Sequence, residues 1–166
     1  MRAYQTAPLP ERRSRPRAGS ELTAQLDEAL AAKLVELLRA RRHHFLARSG
    51  GASHAVDVFL AHSIAAQGHA DALAARIVEL GAQPGFSPAL LSRSPGGWFA
   101  PVWELRDMAH EDLEATRATA AVLKALLIFV GATDPATRRL LLAILADDKA
   151  RAKVLAALIA SPGANR

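Results

Sequence analysis

Histidines and acidic residues are the side chains of this chain that could do chemistry. Two of the six histidines, His62 and His69, lie seven residues apart on one predicted helix face. Seven residues make two helical turns, about 10 Å, so the two imidazoles are too far apart to chelate one ion without a further ligand. The interpretation that we favour is a pair of polar residues that hydrogen-bond inside a helical bundle. The other histidines are His43, His44, His54 and His110.

Composition and motif spacing exclude several kinds of catalytic site. The chain has no cysteine, which excludes disulfides, iron–sulfur clusters, thiolate zinc sites and a cysteine nucleophile. The spacing patterns of a Ser-His-Asp triad, a phosphate-binding glycine loop and a zinc protease do not occur. We therefore predict no catalytic residue from motifs alone.

Positive charge is concentrated at the beginning of the chain. The formal net charge is +5, and residues 1–19 hold five arginines against a single acidic residue, Glu11. These arginines are Arg2, Arg12, Arg13, Arg15 and Arg17. With three prolines and no hydrophobic periodicity, residues 1–19 are predicted to be a disordered basic arm. Such an arm could bind DNA phosphates without sequence preference; the alternative is a solvated terminus with no partner.

Four long helices must position the remaining residues. From Ser20 onward the chain is rich in alanine and leucine, which favour helices. Apolar residues recur at three- and four-residue spacing over 21–48, 53–80, 101–130 and 135–160, which is typical of bundle helices. Asp134 and Pro135 are predicted to be the N-cap and first residue of the last helix. The buried stripe of the third helix is predicted to be Leu105, Met108, Glu111, Ala115, Ala118, Val122, Leu126 and Phe129.

The connections between these helices indicate the topology. The first and third connections are short and predict antiparallel hairpins, whereas residues 82–100 form a long link between the hairpins. One long crossover between two hairpins is the connectivity of ferritin-like bundles. The sequence therefore predicts an all-α bundle over 20–160, followed by a C-terminal tail at 161–166. We expect a short helix at 87–92, and a subunit interface that includes the aromatic residues in or beside the link, Phe86, Trp98, Phe99 and Trp103.

A specific stretch of the second helix resembles a known family. His69-Ala-Asp-Ala-Leu-Ala-Ala-Arg-Ile-Val-Glu-Leu-Gly-Ala-Gln-Pro84 resembles the second helix of bacterioferritins and Dps-type mini-ferritins. The resemblance extends to 107–111 on the third helix and 144–148 on the fourth, and covers residues 26–158. It implies iron storage and protection against oxidative stress, with a di-iron ferroxidase centre inside the bundle.

The resemblance also implies a set of metal ligands, of which this chain keeps three. The family places a carboxylate on the first helix, Glu-x-x-His on the second, Glu on the third and Glu-x-x-His on the fourth. Carried over by position, the ligands that remain are His69, Glu111 and Asp148, and the replaced positions hold Lys33, Ala66 and Arg151. We interpret the centre as degenerate.

Charge balance suggests what replaces the metal. The cations Lys33 and Arg151 could pair with Glu111 and Asp148, since a buried carboxylate without a partner is costly. Two alternatives stay open: a single metal ion on the three remaining ligands, or a shifted register in which Glu36 faces inward instead of Lys33.

Two further binding sites of the family can be compared with this chain position by position. Gln67 stands where bacterioferritins have the methionine that binds haem, so haem is not expected. The iron site that Dps-type proteins place between subunits keeps only His44 and Asp71. We expect a homo-oligomer, either a dimer or a larger cage, and a cytoplasmic location, since neither a secretory signal nor a bilayer-spanning apolar run is seen.

Three functions follow from these observations. The first is a ferritin-like protein with a degenerate di-iron site and non-specific DNA binding through the basic arm. The second is a working, iron-oxidising and iron-storing ferritin with an unusual site. The third is a metal-free structural or interaction bundle. Because the chain keeps only three of the six metal ligands that the resemblance implies, the first hypothesis is favoured over the second. The number of ligands does not separate the first hypothesis from the third.

Overall fold

The helices begin and end close to the predicted positions. A computed structural model describes residues 17–50, 53–92 and 102–161. The helices are α1 (Arg17–Ser49), α2 (Ser53–Glu79), α3 (Pro88–Leu91), α4 (Leu105–Val130) and α5 (Pro135–Ala160). Helix α1 begins within the segment that was predicted to be an arm, and residues 1–16 and 162–166 lie outside the described residues.

Local residue choices explain several helix ends. Asp134 is the N-cap of α5, as predicted, and its side chain accepts a hydrogen bond from the Thr137 backbone N–H at 3.0 Å. Gly131 ends α4 with a positive φ of 56°, a conformation that costs glycine little because it has no Cβ. Ser87 caps the predicted short helix α3 by accepting a hydrogen bond from the Leu90 backbone N–H.

The topology is two antiparallel helical hairpins joined by one crossover. Helices α1 and α2 form the first hairpin and α4 and α5 the second; α1 packs on α4, and α2 packs on α5. Helix α3, in the crossover, packs against α1, where the Gly85 backbone N–H donates to Asp27 Oδ1 at 2.7 Å. The prediction of an all-α bundle of four long helices, with two hairpins joined by one long crossover, is confirmed.

The interior is divided into three layers along the bundle axis. One end is an apolar layer that includes Leu26, Leu30, Leu73, Ile77, Leu123, Leu126, Leu141 and Ile144. The other end is a second apolar cluster around Phe59, Met108, Leu113 and Leu155. Between them lies what we call the polar layer, whose members are all buried: Lys33, Glu36, Arg39, His43, His62, Asp112, Thr116, Thr119 and Asp148.

The buried stripe of α4 differs from the predicted one. Its inward positions are Leu105, Met108, Asp112, Thr116, Thr119, Leu123, Leu126 and Val130, together with Ala109, Leu113 and Ala115. Glu111 lies on the flank of the helix, and Phe129 is 46% exposed while Val130 is buried. From Met108 the three- and four-residue spacing continues through Asp112, Thr116 and Thr119, each one residue after the predicted position.

Aromatic side chains near the crossover are exposed. Phe86 and Trp103 are 57% and 75% exposed, respectively, while Trp98 and Phe99 lie outside the described residues. Within the described part of the chain, no helix combines the length and hydropathy of a bilayer-spanning segment.

Candidate metal centre

The ammonium group of Lys33 lies at the centre of the polar layer. Lys33 is fully buried, and its Nζ donates hydrogen bonds of 2.7 Å to both carboxylate oxygens of Asp148 on α5. The same ammonium donates to Glu36 Oε2, also at 2.7 Å. Lys33 and Glu36 both face inward because they are separated by three residues, nearly one helical turn. The two register alternatives for α1 are therefore present together.

Burial controls the protonation of the residues around Lys33. It raises the pKa of Asp148 to about 6, even though the nearby Lys33 ammonium opposes the shift. Burial also lowers the pKa of His69 to about 4, and the Lys33 charge adds to this effect. His69 Nε2 lies 3.0 Å from Asp147 Oδ2, and its Nδ1 lies 3.6 Å from Asp148 Oδ1. At neutral pH the imidazole is neutral.

Arg151 and Asp148 are not paired. The Arg151 guanidinium donates to Asp147 Oδ2 at 3.2 Å and to the Ala61 backbone carbonyl at 3.1 Å. Arg151 follows Asp147 by four residues, so the two side chains share one face of α5. Asp148, one position further on, points inward to Lys33 instead.

Glu111 is the predicted ligand that lies apart from the others. Its carboxylate contacts three cationic or imidazole groups of α1: His43 Nε2 at 3.0 Å, Arg39 Nε at 3.4 Å and Arg42 Nη1 at 4.0 Å. The inward position at this level of α4 is held by Asp112, which is 2% exposed. Of the three predicted ligands, the fold thus brings together His69 and Asp148 only.

A second buried cluster lies beside the first. His43 is bracketed by two carboxylates, because its Nδ1 lies 3.0 Å from Asp112 Oδ1 while its Nε2 faces Glu111. His62 Nδ1 lies 3.7 Å from the other oxygen of Asp112, which is too long for a direct hydrogen bond, and its Nε2 lies 3.3 Å from Thr116 Oγ1. Burial lowers the pKa of His62.

The sequence interpretation missed Arg39, His43 and Asp112, and it gave Glu36 only as an alternative to Lys33. One signal could have found the α1 residues: positions 33, 36, 39 and 43 hold Lys, Glu, Arg and His at three- and four-residue spacing, which is a helical stripe made of polar residues. Asp112 could have been found from its regular spacing to Met108 and Thr116.

These residues do not fit a pair of divalent cations. Such a pair needs several anionic oxygens that converge on one point, but the Lys33 ammonium already occupies both oxygens of Asp148. In the three described segments, no group of three or more histidine, aspartate or glutamate side chains is arranged to hold a metal ion.

The residues predicted for the other sites lie elsewhere. His44 Nδ1 lies 3.0 Å from the Val56 backbone carbonyl oxygen, and both Asp71 and Gln67 are exposed on α2. Of the five arm arginines, Arg17 is the first residue of α1. The other four, Arg2, Arg12, Arg13 and Arg15, lie outside the described residues.

Comparison with known proteins decides the family. The family model of the ferritin-like domain matches residues 23–161, which includes all four long helices except the first turns of α1. The chain belongs to the ferritin-like family. No curated protein matches it in sequence.

Solved structures of ferritin-like proteins share its fold at low sequence identity. A dodecameric thioferritin, the bacterioferritin-related protein of Bacteroides fragilis, matches with a TM-score of 0.76 and 18% identity, over 85% of both chains. A Dps1 point mutant of Mycobacterium smegmatis matches with a TM-score of 0.79 and 14% identity, over 88% of this chain and 99% of that one.

Rhodobacter capsulatus bacterioferritin, whose dinuclear site is metal-free in its structure, matches with a TM-score of 0.74 and 18% identity over 84% of both chains. At these sequence identities the similarity to ferritin-like structures establishes the fold of this chain only. Its activity has to be inferred from its own residues.

Proposed function

We propose that this chain is a ferritin-like protein related to iron storage and oxidative-stress protection, in which a buried salt bridge has replaced the di-iron ferroxidase centre. The observation that carries this proposal is the position of Lys33, whose Nζ lies 2.7 Å from Glu36 and from both oxygens of Asp148. The bundle then folds without metal and does not oxidise Fe(II).

Electrostatics supports this assignment. Two carboxylates buried side by side repel each other unless a cation compensates them, and Lys33 supplies that cation covalently. A divalent ion would have to displace an ammonium that makes three hydrogen bonds, and then share the site with its positive charge. Binding of Fe(II) is therefore disfavoured at the place where the family resemblance implies it.

The first experiment measures aerobic Fe(II) oxidation by absorbance. We expect the wild-type protein to oxidise Fe(II) no faster than buffer. A protein-dependent burst that Glu111→Ala removes would establish the alternative, a working iron-oxidising ferritin with an unusual site.

The second experiment asks whether Lys33 is what excludes the metal. Lys33→Glu removes the ammonium and places three carboxylates and His69 near each other, so we expect Zn²⁺ to raise the melting temperature of this variant and not that of the wild type. Lys153→Glu makes the same charge change at an exposed position of α5 and is the control. Equal stabilisation of both variants would contradict the proposal.

We also propose a homo-oligomer. Leu38 and Phe45 are 47% and 58% exposed, and because they are seven residues apart they share one face of α1. The thioferritin with the same fold is dodecameric. We expect light scattering to give a mass of several subunits, and Phe45→Glu to lower it. Ile128→Glu, at an apolar side chain of α4 that is 81% exposed, is the control.

If both variants keep the wild-type mass, the α1 face does not form the interface. A monomeric wild type would contradict the oligomer and favour the third hypothesis, a metal-free interaction bundle.

DNA binding is the second candidate function, and the charge of residues 1–19 favours it. We expect gel-shift affinity to fall with salt, with a log–log slope of about −0.9 per phosphate contact. Replacing Arg2, Arg12, Arg13 and Arg15 by glutamine should abolish the shift. The matched control replaces four exposed cations of the bundle instead, namely Arg48, Arg106, Arg139 and Lys153. Equal losses in the two variants would contradict binding through the arm.

A further inference from the structure

We propose that the cleft between α4 and α5 binds the anion of a medium-chain fatty acid, with the acyl chain along the cleft and the carboxylate at its basic rim. The juxtaposition that carries this inference is an apolar groove bordered by Arg117, Lys124 and Lys149. It does not depend on iron or on DNA, and it rests on the proposed function only through the Lys33–Asp148 salt bridge, which compensates the acidic residue in the lining of the cleft.

The cleft has the size of a small-molecule site. Its volume is about 560 Å³, within the range of about 300–1,000 Å³ that is usual for ligand pockets. It exists because alanines at 120, 146 and 152 line the facing surfaces of the two helices and keep the side chains short. From Thr116 to Lys124 the cleft follows α4 for about 12 Å.

Apolar side chains line the cleft between its cations. Leu142 and Leu145 line the cleft together with the alanines, and Leu142 is 45% exposed. An acyl chain laid on these side chains would remove apolar surface from water, which favours binding.

Its rim is basic. Arg117 and Lys124 are seven residues apart on α4 and share one face, and Lys149 lines the cleft from α5. Neither Lys124 nor Lys149 forms a salt bridge with any described residue, and Arg117 pairs only with Glu114, in an exposed contact of 2.7 Å. Exposed pairs of this kind contribute little stability, so Arg117 can exchange Glu114 for a ligand carboxylate.

The floor of the cleft lies beside two of the rim cations, Arg117 and Lys149. Thr116 and Asp148, which are 1% and 2% exposed, line the deep part of the cleft, and each directly precedes a rim cation, Arg117 and Lys149. The negative charge of Asp148 is compensated by Lys33. The carboxylate of the ligand is therefore expected at Arg117 and Lys149, and its chain toward Leu142 and Leu145.

The position of the cleft favours a carboxylate on an acyl chain over a phosphate. Phosphate sites in proteins commonly use backbone N–H groups at a helix N-terminus. This cleft follows the middle of two helices, where the backbone N–H groups are used within the helix. Only side chains can supply its positive charge, and the surface between them is apolar.

The experiment is calorimetric titration of the full-length protein with sodium laurate below its micelle concentration. We expect saturable binding at one site per chain. Arg117→Gln/Lys149→Gln should weaken it about tenfold, because the double variant removes both cations expected at the ligand carboxylate. Ala146→Leu, which fills the cleft with a good helix former at an exposed position, should abolish it. Lys153→Gln, an exposed cation of α5 outside the cleft, should bind like the wild type.

Three controls separate the ligand from other occupants. Dodecanol tests the need for charge, inorganic phosphate tests the need for the acyl chain, and light scattering of Ala146→Leu tests whether a second copy of the chain fills the cleft. Equal affinity for dodecanol, competition by phosphate, a changed mass of Ala146→Leu or the absence of saturable laurate binding would each overturn the proposal.

Discussion

Two parts of the bundle interior use the same helices in opposite ways. At one end, Leu26, Leu73, Leu123 and Ile144 build an apolar layer with almost no exposed surface. In the polar layer, the equivalent inward positions hold charged and hydrogen-bonding side chains that are equally buried. The first layer obtains its stability from removing apolar surface from water. The second has to compensate every buried charge by a specific partner.

The difference shows why the two layers should respond differently to mutation. A lost methylene group in the apolar layer leaves a cavity, and its cost depends on how far the neighbours relax. A lost charge in the polar layer leaves its partner without compensation, and relaxation cannot remove that charge. The following predictions test this contrast, from the largest effect to the smallest.

The largest effect is expected for Lys33→Met. It leaves Asp148 and Glu36 buried without their cation, which should lower the free energy of unfolding by about 3–5 kcal/mol. Urea denaturation followed by circular dichroism measures it. The triple variant Lys33→Met/Glu36→Leu/Asp148→Leu removes all three charges and should recover most of the loss. If the triple variant is less stable than Lys33→Met, the three charges are not a mutually compensating unit.

The apolar layer is expected to respond less. Leu73→Ala should cost about 3 kcal/mol from lost burial and the cavity left behind, because Leu73 is fully buried. The control on the same helix is Val78→Ala, whose side chain is 57% exposed, and it should change stability by less than about 0.5 kcal/mol. Similar losses in both variants would show that the apolar layer is not tightly packed.

Acid should distinguish Asp148 from His69. Because the pKa of Asp148 is raised from 3.8 to about 6 in the folded chain, protonation favours the fold, and this contribution is lost as the pH rises through 6. The stability of the wild type relative to Asp148→Asn should therefore increase as the pH falls from 7 to 4, by on the order of 2 kcal/mol. Urea midpoints at several pH values measure the difference.

His69→Asn is the control with the opposite sign. The pKa of His69 is lowered from 6.5 to about 4, so its contribution is present above pH 6.5 and is lost as the pH falls through 4. The stability of the wild type relative to His69→Asn should decrease over the same range. Parallel curves for the two variants would contradict the protonation states assigned to the polar layer.

The smallest effect is expected at the N-terminus of α5, outside both layers. Asp134 caps α5 and accepts a hydrogen bond of 2.8 Å from Arg76 Nη2. Although burial opposes it, hydrogen bonding from Thr137 and Arg76 lowers the pKa of Asp134 to about 2. Asp134→Ala should cost about 1 kcal/mol in thermal or urea unfolding. The control Glu79→Ala removes the exposed partner of Arg76 and should lower the free energy of unfolding by less. If the two variants lose equal stability, the effect comes from the Arg76 salt bridge and not from the helix cap.

Periodicity made most of the fold predictable. The four long helices, the Asp134 cap and the single crossover followed from apolar spacing, N-cap chemistry and the lengths of the connections. The phase of α4 was predicted less well, because from Glu111 onward most of the predicted inward positions lie one residue before the buried ones, as Glu111 does before Asp112. On a helix with apolar residues on several sides, only packing against the other three helices selects the inward side.

The candidate centre was predictable in part. The resemblance placed Lys33, His69 and Asp148 near one another, and the contact between Lys33 and Asp148 is observed at 2.7 Å. It also placed Glu111 among them, but Glu111 contacts α1 at Arg39, Arg42 and His43 instead. Which residues of different helices become partners depends on how each helix is rotated about its own axis, by an amount equivalent to about one residue. That rotation cannot be read from a single sequence.

By itself, the sequence determined that the chain forms a four-helix bundle with cationic residues where the family resemblance implies metal ligands. Local propensity and spacing are sufficient for this, because they act within one helix at a time. The tertiary structure decided which carboxylates Lys33 compensates, that Arg151 turns to Asp147, and that short side chains leave a basic-rimmed cleft between α4 and α5. These features depend on distances between helices, and those distances exist only once the bundle has packed.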